Sequence, residues 1–137
     1  MTDTIFGKLI RRQIPAEIIY EDADTLAFLD ITPVNPGHTL VIPKEPVRNV
    51  LDIDPLRWGK VMETVRILAP KIKEATNASG INIIMNNEPA AGQVVFHAHV
   101  HIVPRFESDG RKNWHGDAYP DGVAKEIAEK IRARISA

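Results

Sequence analysis

Three of the chain's five histidines stand at alternate positions, in Phe96-His97-Ala98-His99-Val100-His101-Ile102-Val103. Alternation with apolar and β-branched residues is the pattern of a strand, whose successive side chains leave on opposite faces. On a strand, His97, His99 and His101 share one face, about 6.5–7 Å apart for a rise of ~3.3 Å per residue. Val100 and Ile102 then face the core. On a helix the three rings would fan out around the axis, and the spacing would have no chemical use. Imidazoles titrate near pH ~6.5, so a row of them is costly: protonated rings repel, and buried neutral rings each need a partner. Two chemistries use such a row. Neutral imidazole is a zinc ligand. Imidazole is also a nucleophile and a proton carrier suited to displacement at phosphorus. The plainer reading is a surface strand that happens to carry histidines. Three in five positions, with only two elsewhere in 137 residues, argues against it.

The elements that must position this stretch are legible from periodicity and punctuation. Apolar residues at 5, 6, 9 and 10 predict a short helix capped by Thr4 and closed by Pro15. Strands are expected over residues 17–21, 25–31 and 38–43, with a turn at Asp22-Ala23-Asp24 and a loop holding Pro33, Pro36 and Gly37. Asp54-Pro55 opens a long helix running to about Ala75, with Gly59 and Pro70 as weak points and Asn77-Ala78-Ser79-Gly80 as its stop. A strand over 81–86 and a small-residue loop over 87–92 lead into the histidine strand, expected across 94–103. After a polar stretch, a last helix over 122–134 carries Val123, Ile127, Ile131 and Ile135 at intervals of four, a stripe read as core packing. This order predicts an α+β fold built on an antiparallel sheet.

Composition narrows the functional classes. The length suits one domain spanning 1–137, and 44% hydrophobic with 26% charged residues is ordinary for a globular chain. A net charge of −1 advertises neither nucleic acid nor a membrane surface as partner. The absence of cysteine removes disulfides, thiolate metal sites and cysteine nucleophiles. No secretory leader or apolar run near ~20 residues is visible, so the cytoplasm is the expected location.

The motif His97-Ala98-His99-Val100-His101-Ile102-Val103 resembles the signature of the histidine triad (HIT) superfamily. Thr4-Ile5-Phe6-Gly7-Lys8-Leu9-Ile10 with Ile14-Pro15 resembles the opening segment of that family. Pro36-Gly37-His38-Thr39-Leu40-Val41-Ile42-Pro43 resembles its second block, and Ala91-Gly92-Gln93 the loop before the triad. The likeness spans about residues 4–106, leaving 107–137 as a C-terminal extension, although Trp114-His115-Gly116 is similar to bacterial members.

The resemblance implies a five-stranded antiparallel sheet with helices packed on it, and two subunits joining their sheets in a homodimer. It also implies hydrolysis or transfer at the α-phosphorus of purine nucleotide substrates, such as AMP phosphoramidates or diadenosine polyphosphates. By the same resemblance, His99 would be the nucleophile, forming a nucleotidyl-histidine intermediate, with His97, His101 and His38 around it. Asp30 and Ile31 would meet the ribose and base. Asn86 would meet the phosphate or leaving group, and the backbone amides of Gly92 and Gln93 the phosphate. Two departures stand out. Val94 occupies a position where many members carry a serine or threonine that assists the leaving group. Thr4 and Gly7 stand where some bacterial members have a zinc-binding Cys-x-x-Cys pair, so that zinc site is expected to be absent. No metal or other cofactor is expected in the chemistry, although the histidine row could take up an adventitious divalent ion. Two alternatives remain open: a metal-binding protein or metallohydrolase, and a non-catalytic nucleotide-binding module.

Overall fold

The structure is a computed structural model describing residues 3–137. Its elements in chain order are α1 (Ile5–Ile10), β1 (Ile18–Glu21), β2 (Thr25–Leu29), β3 (Thr39–Pro43), α2 (Pro55–Thr76), β4 (Gly80–Ile84), β5 (Val100–Arg105) and α3 (Val123–Ile135), with a 3₁₀ turn at Pro89–Ala91. The helix boundaries follow local capping chemistry. The Thr4 hydroxyl accepts from the Gly7 amide at 3.2 Å. The Asp54 carboxylate accepts from the Arg57 amide at 2.8 Å, with Pro55 at the first helical position where its missing N–H is harmless. Asn77 ends α2 in the left-handed conformation, φ 57°.

The five strands form one antiparallel sheet in the order β1-β2-β3-β5-β4. Helices cover both of its faces, which is why β2 and β3 read as almost unbroken apolar runs. Ala27, Val41, Val100 and Ile102 pack on Val61, Val65, Leu68 and Ile72 of α2. Leu26, Phe28, Leu40 and Ile42 point the other way, onto Phe6 and Leu9 of α1. Directly paired residues share a face. Leu40 pairs with His101, so His101 lies on the α1 face, while Ile102 lies on the α2 face.

Two expectations need correction. The histidine strand is shorter than the alternation suggests: β5 begins at Val100, and His97 and His99 lie before it. The β3–β5 register, continued from Val41↔Val100, would set Pro43 opposite Ala98. Proline has no N–H with which to extend a ladder. Ala98 instead donates its amide to the Val47 carbonyl at 2.7 Å, and the Pro43 carbonyl takes the His97 ring. The second correction concerns α3, none of whose residues is buried. Ile131 and Ile135 are 54% and 78% exposed, so the stripe packs into no core among the described residues. The irregular segment 107–122 separates α3 from the sheet. Among the described residues, no helix is long and apolar enough to cross a membrane.

Candidate active site

A cavity of about 470 Å³ opens on the α1 face of the sheet. That volume falls within the usual range for small-molecule sites, about 300–1,000 Å³. Its walls are apolar, with Phe6 and Leu9 from α1 facing Phe28 and Leu40 from the sheet. Ile31 and Val94 stand on the wall with 86% and 82% exposure. The polar side chains lining the cavity are few: Asp30, Thr32, Asn86, His99 and His101.

Hydrogen bonds assign the protons on the rings. His99 Nδ1 lies 2.7 Å from the His97 carbonyl oxygen. A carbonyl only accepts, so Nδ1 carries the hydrogen and the neutral ring keeps its lone pair on Nε2. Phe6 holds the ring edge-on, with centroids 5.0 Å apart. The Val34 amide donates to His38 Nδ1 at 3.0 Å, which places the His38 hydrogen on Nε2. That Nε2 lies 2.9 Å from His101 Nδ1 and donates to it, leaving His101 with its hydrogen on Nε2. The two cavity rings, 5.1 Å apart, therefore have opposite polarity at Nε2: His99 offers a lone pair and His101 a hydrogen.

Burial keeps these rings neutral by penalising the charged form. It pushes His99 below the ordinary imidazole range against the opposing pull of the His97 carbonyl and Asp30. His101 is pushed down to about 4, by burial first and then by His99 and His38. His38 and His97 are also lowered, chiefly by burial.

The residues singled out from the sequence divide into two groups. His99, His101, Asp30, Ile31, Asn86 and Gly92 line the cavity. His97, His38 and Gln93 lie behind it. His97 is 1% exposed, and its Nε2–H donates to the Pro43 carbonyl at 2.7 Å, so it faces His99 with its backbone rather than its ring. His38 is buried against His101. Gln93 spans two loops: its side-chain amide donates to the carbonyls of Arg48 (2.7 Å) and Val95 (3.1 Å), and its oxygen accepts from Asn49 and the Glu88 amide. The backbone amides expected to meet a phosphate are engaged within the turn, Gly92 with the Pro89 carbonyl at 3.0 Å and Gln93 with the Glu88 carbonyl at 3.2 Å. Gly92 has φ +94°, a conformation that requires glycine, which explains its presence without an anion. Asp30 combines two jobs. One oxygen closes a turn by accepting from the Thr32 amide at 2.9 Å, and the other lies 3.6 Å from His38 Nε2.

Sequence reasoning missed Phe6 as the ring that braces His99, and Val34, whose amide orients His38. Neither carries a local signal, because one reads as a core aromatic and the other as a loop valine.

Asp30, His38 and His101 bring three ligand atoms within 4.8 Å of one another, a geometry open to a divalent ion. The donor set fits poorly. While Val34 occupies His38 Nδ1, the only lone pair of that neutral ring is taken, and Nε2 is a donor. An ion there would have to break both hydrogen bonds.

The HIT domain family matches residues 11–108. The chain belongs to the HIT family. Its fold is close to the crystal structure of SMU.412c from Streptococcus mutans, with TM-score 0.93, 46% identity, and coverage of 98% of this chain and 87% of that one. A histidine triad nucleotide-binding protein from Candida albicans superposes with TM-score 0.85 at 28% identity over 98% of both chains. Adenylylsulfatase HINT3 of Arabidopsis thaliana is 38% identical over 107 residues, 78% of this chain and 54% of that protein. The HIT superfamily comprises nucleotide-binding hydrolases and transferases. In this HIT protein the match leaves out α1, which supplies Phe6 and Leu9 to the cavity wall, and everything after residue 108.

Proposed function

We propose that this HIT protein hydrolyses or transfers nucleotidyl groups at the α-phosphorus, acting on purine nucleoside phosphoramidates or dinucleoside polyphosphates. The observation that carries the reading is the hydrogen bond from His99 Nδ1 to the His97 carbonyl, which leaves an unprotonated Nε2 on a ring at the cavity wall. In the first step the Nε2 lone pair forms a bond to phosphorus as the P–N or P–O bond to the leaving group breaks. The leaving group departs with a proton drawn from water. In the second step water attacks phosphorus, the N–P bond breaks, the attacking water gives a proton back to solvent in place of the one the leaving group took, and the nucleotide is released with His99 neutral again. Dividing one displacement into two is the usual gain of a covalent intermediate. His101 Nε2–H supports charge on the phosphoryl group by hydrogen bonding. Asp30 accepts from the ribose hydroxyls, the apolar wall with Ile31 holds the base, and Asn86 contacts the phosphate or leaving group. No metal enters the chemistry, and two copies pair, with the unburied α3 stripe available to the contact.

The test is turnover of an adenosine phosphoramidate and of diadenosine tetraphosphate, with and without chelator, by the parent and His99→Ala. Chelator-resistant turnover that is lost in the variant, and that declines only below pH ~6.5 as the lowered His99 protonates, supports the reading. Chelator-sensitive turnover refutes the metal-free mechanism. A second reading, a nucleotide-binding module without catalysis, draws support from Val94, an exposed valine at a position that offers no hydroxyl to a leaving group. Binding of AMP without turnover of either substrate would favour it.

A further inference from the structure

The two facing histidines, His38 and His101, have two possible polarities; Asp30, 3.6 Å from His38 Nε2, favours a hydrogen there, and a direct hydrogen bond from outside the cavity fixes the choice at Nδ1. Their shared hydrogen bond needs one donor and one acceptor. If His38 carries its hydrogen on Nε2, His101 presents Nε2–H to the cavity. If His38 carries it on Nδ1, the pair reverses: His101 donates from Nδ1, and its Nε2 becomes a lone pair. The Val34 amide, aimed at His38 Nδ1, selects the first state.

What holds that amide in place comes largely from the end of β5 and the segment that follows it. The Val34 carbonyl accepts from Arg111 Nη2 at 2.7 Å, so Val34 is pinned at both its N–H and its C=O. The neighbouring Asn35 donates from Nδ2 to Asp109 Oδ2 at 3.0 Å and to the Pro104 carbonyl at 2.9 Å. Asp109 is anchored by Arg105 through two contacts, Nε–Oδ2 at 2.8 Å and Nη2–Oδ1 at 3.1 Å. It also accepts from the Arg111 amide at 2.9 Å. The carboxylate side chain is only 7% exposed, and the Arg105 guanidinium holds it well below the usual carboxylate range. Asp109 and Arg111 lie beyond the residues that the HIT family matches.

We propose that Asn35, Arg105, Asp109 and Arg111 form a clamp that fixes the Val34 backbone, sets the tautomer of His38 and so keeps His101 a hydrogen-bond donor to the bound phosphoryl group. These are positioning residues, since none of them lines the cavity. The catalytic consequence rests on the nucleotidyl-transfer reading above, but the tautomer assignment does not. Arg111 is the cleanest handle because its side chain is exposed, and its removal empties no core.

The test is the nitrogen-15 spectrum of the imidazoles at pH 7.5, by long-range proton–nitrogen correlation, for the parent, Arg111→Ala, Arg111→Lys and Asp109→Asn. In the parent, His38 and His101 should each show an unprotonated Nδ1 and a protonated Nε2, and His99 the reverse. Arg111→Ala and Asp109→Asn should move the two nitrogens of His38 and of His101 toward one another, while His99 stays unchanged. Arg111→Lys, which still offers a donor to the Val34 carbonyl, should restore much of the parent spectrum. Where the parent turns over a phosphoramidate, kcat should fall at least about tenfold in Arg111→Ala with KM little changed, the direction expected for a lost transition-state donor. Unaltered His38 and His101 tautomers in both Arg111→Ala and Asp109→Asn would overturn the clamp. A parent with the assigned tautomers but no turnover would instead count against the enzymatic reading and leave the clamp standing.

Discussion

Replacing His101 by glutamine should make the protein less sensitive to acid, and the structure sets the size of the effect. His101 has its pKa pushed down to about 4, against 6.5 for an ordinary imidazole. A base whose pKa is lower in the native state is protonated first in the unfolded chain as pH falls. Unfolding is therefore favoured progressively from pH 6.5 down to about 4, and the residue has no net effect above that window. A tenfold difference in proton affinity between the two states is worth ~1.36 kcal/mol, so at pH 5 the ring costs the native state about 2 kcal/mol, or roughly 1–2 after allowing for its partial exposure. His101→Gln removes that cost. It also removes the hydrogen bond from His38, a loss that applies at every pH and cancels when one variant is compared with itself. The assay is urea unfolding of both proteins at pH 7.5 and pH 5. The parent should lose roughly 1–2 kcal/mol more than the variant between the two. Equal losses would refute the argument, because they would mean that the buried ring titrates alike in both states.

Three further outcomes follow from single residues. Gln93→Ala should lower stability by about 2–4 kcal/mol in thermal or urea unfolding, since it removes the partners of the Arg48 and Val95 carbonyls, the Glu88 amide and one Nδ2 hydrogen of Asn49 behind the cavity. Val94→Ser should raise kcat for phosphoramidates with poor leaving groups by a few-fold while leaving the unfolding free energy within about 0.5 kcal/mol, because position 94 is 82% exposed. Steady-state kinetics that show no leaving-group dependence would count against that role. Ile131→Asp should shift light-scattering mass toward the monomer without altering the unfolding midpoint of the monomer, since Ile131 is 54% exposed. A parent that is monomeric at micromolar concentration would defeat the proposed pairing.

Local punctuation and periodicity were enough for the element order. Thr4, Asp54-Pro55 and Asn77 each act through bonds to residues within four positions, so their meaning does not depend on the rest of the chain. The alternation around β5 correctly set Val100 and Ile102 into the core, although it gave no sign that His97 and His99 are buried as well. Periodicity was less informative about α3, because an apolar stripe states that a helix can be covered and not what covers it. The site was legible in its residue types and only partly in its geometry.

From the sequence alone came the antiparallel α+β order and the concentration of imidazoles at one place; Asp30, Asn86 and Gly92 enter as their companions only through the resemblance to the HIT family. Only the packed structure decided that Pro43 cuts the ladder short and turns the His97 ring into the wall, and that Gln93 braces two loops. Packing also sets the protons on His38 and His101, through an amide of Val34 held by residues more than 70 positions away. The physical reason is the same throughout. A residue type declares how many hydrogen bonds it can give or take, but its partners are chosen by contacts distant in the chain, and on those partners the chemistry of an imidazole depends.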